Sequence, residues 1–352
     1  MRLRDIPRRW LAAVLLLASP LAGGQSGPSV RDSLGRTVTL PARARRVIAV
    51  QPEIARMLAA LDARDALVGL DYSLRVRDPL FKLVFPEADR IPVVSNAENA
   101  INLELVLKLA PDVIFVSPFE RRIVEALERK TRIPTVALAS LGDFGRMIDE
   151  LILVGRLVGR EDRAAELAAY FRAETERVGL KIGSVPAARR PRVFLSFWGS
   201  LTRTPTSYAP VDAAGGINLA DGIVPDALGS VQTTVNVERL IRWDPDYILV
   251  HGNYLPSERG LTVEGVLADR RLASLRAVKS GRVRYTFGFW NWWDMAETTI
   301  ETLYLAALFH PEIFPDFDLE REGEEVFGRF YGRPGIFRAF SELLGCREWL
   351  HE

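Results

Sequence analysis

The chain has 352 residues, 48% hydrophobic and 26% charged, with a formal charge of +1. That is ordinary globular composition, and the length suits one large domain or two of about 150 residues each, with a core that needs no metal or disulfide staple. Past the amino terminus no apolar run reaches about 18 residues, which excludes a helical membrane span, and the charge balance excludes a global bias toward nucleic acid.

"MRLRDIPRRW" is a basic segment, "LAAVLLLA" is an apolar one too short to span a bilayer well, and "SPLAGGQSG" is a zone of small residues. Together they read as a secretory signal peptide over residues 1–24, cleaved near Gly24. "LAGG" resembles a lipoprotein box with glycine in place of the lipid-bearing cysteine, so a soluble exported product is expected. Removing Arg2, Arg4, Arg8, Arg9 and Asp5 takes the formal charge from +1 to −2. The single cysteine, Cys346, cannot form an internal disulfide and reads as a small buried apolar residue.

"DSLGRTVTLP" predicts a hairpin around Gly35. "RRVIAV" is a β-branched run, "PEIARMLAALDA" places Ile54, Met57, Leu58 and Leu61 at helical spacing, and "ALVGL" is a second strand. Strand, helix, strand is the parallel βαβ pattern. "INLELVLKLAPDVIFV" adds a helix striped by Leu103, Val106, Leu107 and Leu109, a stop at Pro111 and a buried strand. "RRIVEALERKTRI" and "PTVAL" follow, for five parallel units by about residue 140. From Phe144 to about Ile182 the period is helical throughout, and the second helix carries Ala164, Leu167, Ala168, Phe171, Thr175 and Val178 on one stripe. Its roughly twenty residues make a rod of about 30 Å. "GSVPAARRP" breaks it, and "PRVFLSF" opens a second α/β series that runs to "RYTF"; from about Met295 the chain is helical again.

"NLELVLKLAPDVIFV" returns 134 positions later as "NVERLIRWDPDYILV", matching Asn102 with Asn236, Glu104 with Glu238, Pro111 with Pro245, Asp112 with Asp246 and Val116 with Val250. The repeat predicts an α/β protein of two Rossmann-like lobes joined by a single long helix, with a ligand cleft between them. The expected bounds are 25–143 for the first lobe, 144–182 for the linking helices and 183–352 for the second lobe with its terminal helices. Sites in such sheets lie beyond the carboxyl ends of the strands, and clefts between domains favour ligands.

These phrases, with "DSLGRTVTLP", "ALVGLD", "LASLRAVKSGRV" and "ETLYLAALFHPEIF", span nearly the whole mature chain. In that order they resemble the periplasmic solute-binding proteins of metal-chelate ABC importers, which take iron–siderophore, haem, cobalamin and, in some branches, molybdate or tungstate. The resemblance implies a soluble periplasmic monomer that moves little on binding, has no catalytic role or cofactor of its own, and partners a small-molecule metal chelate and a membrane permease. It also implies that Glu104 and Glu238 dock onto arginines of that permease. A carboxylate in the first turn of a helix is favoured by the helix dipole in any case.

The strand ends that should face the cleft are "QPE", "DYSLR", "SPFE", "FWGSLTRTPTSY", "HGNY" and "FGFWNWWD". Their candidates for ligand contact are Tyr72, Arg75, Trp198, Arg203, Tyr208, His251, Tyr254, Trp290, Trp292 and Trp293. Aromatic faces suit a planar or catecholate chelate, and arginines its carboxylates or phenolates. With three histidines and no ligand-spaced cluster, a naked zinc or manganese site is not expected. The aromatic content favours an iron–siderophore, with molybdate or tungstate next ("SLTRTPTSY" and His251 could hold an oxyanion), then haem and cobalamin. A secreted two-lobed hydrolase or lyase is the reading from another class, and it lacks a nucleophile motif.

Overall fold

The structure is a computed structural model describing residues 26–98, 100–118, 121–227, 230–288 and 293–349. The segment read as a signal peptide lies outside them.

The chain opens with the antiparallel hairpin β1 (Ser26–Arg31) and β2 (Thr37–Pro41), turning at Gly35, whose φ of +74° suits glycine. The Asp32 carboxylate fixes the turn by accepting the Leu34 and Arg36 amides at 3.0 and 2.9 Å. The first lobe then runs β3 (Val47–Ala49), α1 (Pro52–Ala60), β4 (Leu67–Leu70), α2 (Tyr72–Arg77), α3 (Phe81–Val84), α4 (Leu103–Leu109), β5 (Val113–Val116), α5 (Arg121–Thr131) and β6 (Thr135–Ala137). Its sheet is parallel, in the order β4-β3-β5-β6. Four strands form rather than the expected five. Val93 adds an isolated parallel bridge to Leu70, and Pro92, with no N–H to donate, keeps that segment from extending the ladder.

Two helices follow, α6 (Phe144–Val158) and α7 (Glu161–Ile182). They pack closely because Gly155 leaves room for the Ala164 methyl. The 22 residues of α7 give a rod of about 33 Å. The predicted stripe is buried at Ala164, Leu167, Ala168, Phe171 and Val178, whereas Thr175 is half-buried and turns its hydroxyl to the Phe171 carbonyl at 3.0 Å.

The second lobe comprises β7 (Arg192–Ser196), β8 (Arg203–Pro205), α8 (Ala209–Ala213), β9 (Ile217–Asn218), β10 (Gln232–Thr234), α9 (Val237–Trp243), β11 (Tyr247–His251), α10 (Val263–Ala268), α11 (Arg276–Lys279) and β12 (Val283–Thr286). Strands β8 and β10 form a separate antiparallel ribbon, and the main sheet is parallel in the order β12-β11-β7-β9. Counted along each lobe, both main sheets have the order 2-1-3-4.

The repeated phrase has one structural job in both lobes. Asn102 and Asn236 cap α4 and α9 by accepting the Leu105 and Arg239 amides at 3.0 and 2.8 Å. Ala110 and Asp244 end those helices in the left-handed region, with φ of 44° and 43°. Asp112 then accepts the Arg45 and Arg46 amides at 2.7 and 2.9 Å, and Asp246 accepts the Arg192 amide at 2.8 Å. Each Pro-Asp step therefore clamps the third strand of its sheet to the start of the first.

The terminal helices α12 (Met295–Phe309), α13 (Leu319–Tyr331) and α14 (Ile336–Leu344) straddle the lobes. Helix α12 packs on α7 and α8, whereas α13 meets α1 and α14 meets α3. One apolar core consequently runs through both lobes.

Candidate functional site

In a 2-1-3-4 sheet the chain leaves the first and third strands in opposite directions, opening a crevice beyond their carboxyl ends. In the first lobe those ends are Gln51–Glu53 and Ser117; in the second they are Phe197–Trp198 and His251–Tyr254. The repeat register that pairs Val116 with Val250 also pairs Ser117 with His251. These equivalent residues share a second property. Ser117 Oγ and His251 Nε2 are both buried, and among the described residues neither has a hydrogen-bond partner.

His251 is 2% exposed and stacks on Phe197 with ring centroids 4.6 Å apart, with Tyr254 edge-on at 4.8 Å. Burial lowers its pKa to about 3, so the ring is neutral. Nδ1 accepts the Trp198 amide at 3.4 Å, which leaves the proton of the neutral ring on Nε2. Nε2–H is thus a buried donor awaiting an acceptor. Trp198 reaches this geometry in the left-handed region, with φ of 54°, an uncommon backbone for a large side chain.

Of the other candidates, Tyr72, Trp198 and Tyr254 are half-buried and Arg203 is exposed. Burial raises the Tyr254 hydroxyl pKa to about 12, with Arg203 pulling the other way. Three assignments need correction. Tyr208 is fully buried and donates its hydroxyl to Glu301 Oε1 at 2.9 Å, so it belongs to the core. Arg75 donates to the Ala88 and Ile91 carbonyls and faces Asp89 at 3.7 Å, so its guanidinium staples a loop. Trp293 is 5% exposed, lies 5.4 Å from the Tyr208 ring and covers Gly142, which makes it a plug between the lobes rather than an open stacking face. Trp290 and Trp292 lie outside the described residues.

Ser117, Glu53 and Asn253 sat in segments read as cleft lining without being singled out, and the repeat register itself could have found Ser117. The Glu53 carboxyl accepts the Trp293 amide at 2.9 Å, and burial raises its pKa to about 8 against the opposing pull of that bond and of Arg56. Asn253 donates to Glu297 at 3.1 Å, and Arg56 joins Glu297 (3.1 Å) to Asp78 (2.6 Å). This buried chain ties the second lobe's cleft loop to α1 and Asp78 of the first. Beside it a cavity of about 10 Å³, lined in part by Glu53, Arg56, Trp293 and Tyr331, has room for no more than about one water. Among the described residues no three His, Cys, Asp or Glu side chains gather as metal ligands, and no helix is long and apolar enough to cross a membrane.

The profile of the periplasmic binding protein family matches residues 47–287, from the first strand of one main sheet to the end of the other. The chain belongs to that family. Within it, the sequence is 24% identical over 347 residues to the molybdate-binding protein MolA of Haemophilus influenzae, covering 91% of this chain and 95% of MolA. A cobalamin-binding protein of Halobacterium salinarum is 26% identical over 265 residues, covering 73% of this chain and 64% of that protein. In structure, molybdate-bound MolA superposes with a TM-score of 0.73 at 21% identity, covering 87% and 98% of the two chains. The nickel–histidine complex of Helicobacter pylori CeuE gives 0.71 at 17%, covering 89% and 97%. These matches bear out the two-lobed α/β fold and the resemblance to binding proteins of metal-chelate ABC importers.

The repeat also shapes the outer surface of both lobes. Glu104 and Glu238 are both exposed, each in the first turn of an Asn-capped helix, α4 and α9. One turn on, Leu107 and Ile241 are 51% and 38% exposed at equivalent positions. Each lobe thus shows the same carboxylate–aliphatic pair.

Proposed function

We propose that the protein binds a small tetrahedral oxyanion, of the molybdate or tungstate kind, between its lobes and delivers it to the permease of an ABC importer. The observation that carries the ligand class is the matched pair of atoms without a partner among the described residues, Ser117 Oγ in one lobe and His251 Nε2 in the other. Neutral hydroxyl and imidazole donors at a water-poor site suit an anion's oxygens without adding a counter-charge. Glu53, raised by burial to about 8, is largely protonated at neutral pH and does not repel an anion. The full-length match to a molybdate-binding relative supports the same reading. Residues 1–24 export the chain, the mature protein works as a monomer in the periplasm without turnover, and Glu104 and Glu238 dock on permease arginines.

The iron–siderophore reading rests on aromatic walls. With Tyr208 and Trp293 in the interior, it keeps half-buried Tyr72, Trp198 and Tyr254 as stacking faces. Calorimetric titration of the mature protein with molybdate, tungstate and sulfate, beside ferric siderophores, haemin and cobalamin, decides between them. Saturable 1:1 binding of molybdate or tungstate is expected. Binding of a chelate with no response to the oxyanions would overturn the proposed ligand class while leaving capture and delivery in place.

A further inference from the structure

We infer that Trp349 is a positioning residue of the binding site, holding the His251–Tyr254 loop from behind. The inference rests on reading that loop as a ligand wall. Trp349 is 1% exposed and 98 residues from His251 in sequence, yet its indole lies against the backbone of Gly252, the next residue along. A Cβ on Gly252 would fall 2.7 Å from the indole carbons, so the glycine exists to let the ring approach. The same indole packs on Phe287 and Tyr285, at centroid distances of 5.0 and 5.6 Å. Phe287 leads into Gly288, where a Cβ would fall 2.8 Å from His251 Nε2. Trp349 therefore backs both strand ends, β11 and β12, that enclose the imidazole.

Arg259 completes the brace. Its guanidinium donates to the Gly252 carbonyl at 3.2 Å and to the Leu344 carbonyl, and it lies 4.3 Å over the Tyr285 ring. One cation thus ties the cleft loop to the end of α14. The Trp349 Nε1–H has no acceptor among the described residues. What the indole supplies is volume, and its removal would let the Gly252–Tyr254 backbone relax away from the ligand donor.

The test uses Gly252→Ala, Trp349→Phe and the double variant of the mature chain. The readouts are molybdate affinity by calorimetry, Tm, and the His251 ring nitrogens by long-range proton–nitrogen NMR. With three histidines in the sequence, that signal is assignable. Alanine overfills the contact and phenylalanine underfills it, so each single variant should shift the His251 signals and weaken binding about tenfold. In the double variant the methyl occupies the space that the smaller ring vacates. It should bind more tightly than either single variant and return the signals toward wild type. Single variants that lower Tm but leave His251 unmoved would reduce Trp349 to a core residue and overturn the inference, as would losses that simply add. If wild-type protein ignores molybdate, the oxyanion reading fails by itself, and the NMR signals still decide the brace.

Discussion

Ser117 and His251 hold the same place in two copies of one phrase, and each keeps a polar atom buried without a partner among the described residues. A buried donor left unmade costs about 1–3 kcal/mol, and a ligand in the proposed site would supply an acceptor to both. Removing the imidazole in His251→Ala should weaken oxyanion binding about 10–100-fold, since hydrogen bonds to charged groups are worth about 1.5–3 kcal/mol. Ser117→Ala should weaken it less and barely change melting, whereas His251→Ala also vacates a packed ring and should lower Tm. Unchanged affinity in both would remove these residues from the site. His251 was legible because it ends a strand in an aromatic segment. Ser117 was not, because a serine after a strand carries no signal until the register with its counterpart is drawn. Arg75 and Tyr208 misled for the opposite reason: sequence shows which side chain follows a strand, but not that a nearby carbonyl or carboxylate has already claimed it.

At the scale of elements, the period of apolar residues placed the main-sheet strands β3, β4, β5, β6, β7, β11 and β12 and the longer helices, but not α2, α3, α8 or the β8–β10 ribbon, which are too short to show a period. The count of five parallel units in the first lobe was one too many: the main sheet holds the four strands read as "RRVIAV", "ALVGL", "DVIFV" and "PTVAL". The repeat was worth more than the period. It located two Asn-capped helices, α4 and α9, whose first turns expose Glu104 and Glu238 and whose second turns expose Leu107 and Ile241. Two equal patches, one on each lobe, suit a partner with two equal faces. Reversing both charges, Glu104→Lys with Glu238→Lys, should abolish transport by the importer while leaving ligand affinity unchanged. Vesicles with reconstituted permease separate the two readouts, and undiminished uptake would sink the docking role.

For the whole molecule, the lobes are fastened through Arg56. Its guanidinium is 2% exposed and bonds Asp78 at the end of α2 and Glu297 on α12. Helix α1 looked amphipathic in sequence, yet Glu53 and Arg56 are buried like Ile54 and Leu58, because α13 joins α6 in covering the face that solvent would otherwise reach. The covering by α13 comes from more than 250 positions away, beyond any local pattern. Replacing Arg56 by methionine strands two buried carboxylates and should cost about 3–5 kcal/mol, read from the shift of the urea unfolding midpoint. A loss below about 1 kcal/mol would mean the contact behaves like an exposed ion pair.

Since α13 and α14 return to roof α1 and α3, the earliest lobe to be synthesised is the last to be finished. If residues 1–24 direct export as proposed, a first lobe left uncovered until its final helices arrive would suit passage through a narrow channel. Protein ending before Leu319 should therefore melt without a cooperative transition in scanning calorimetry; a sharp transition from such a fragment would show that the first lobe closes unaided.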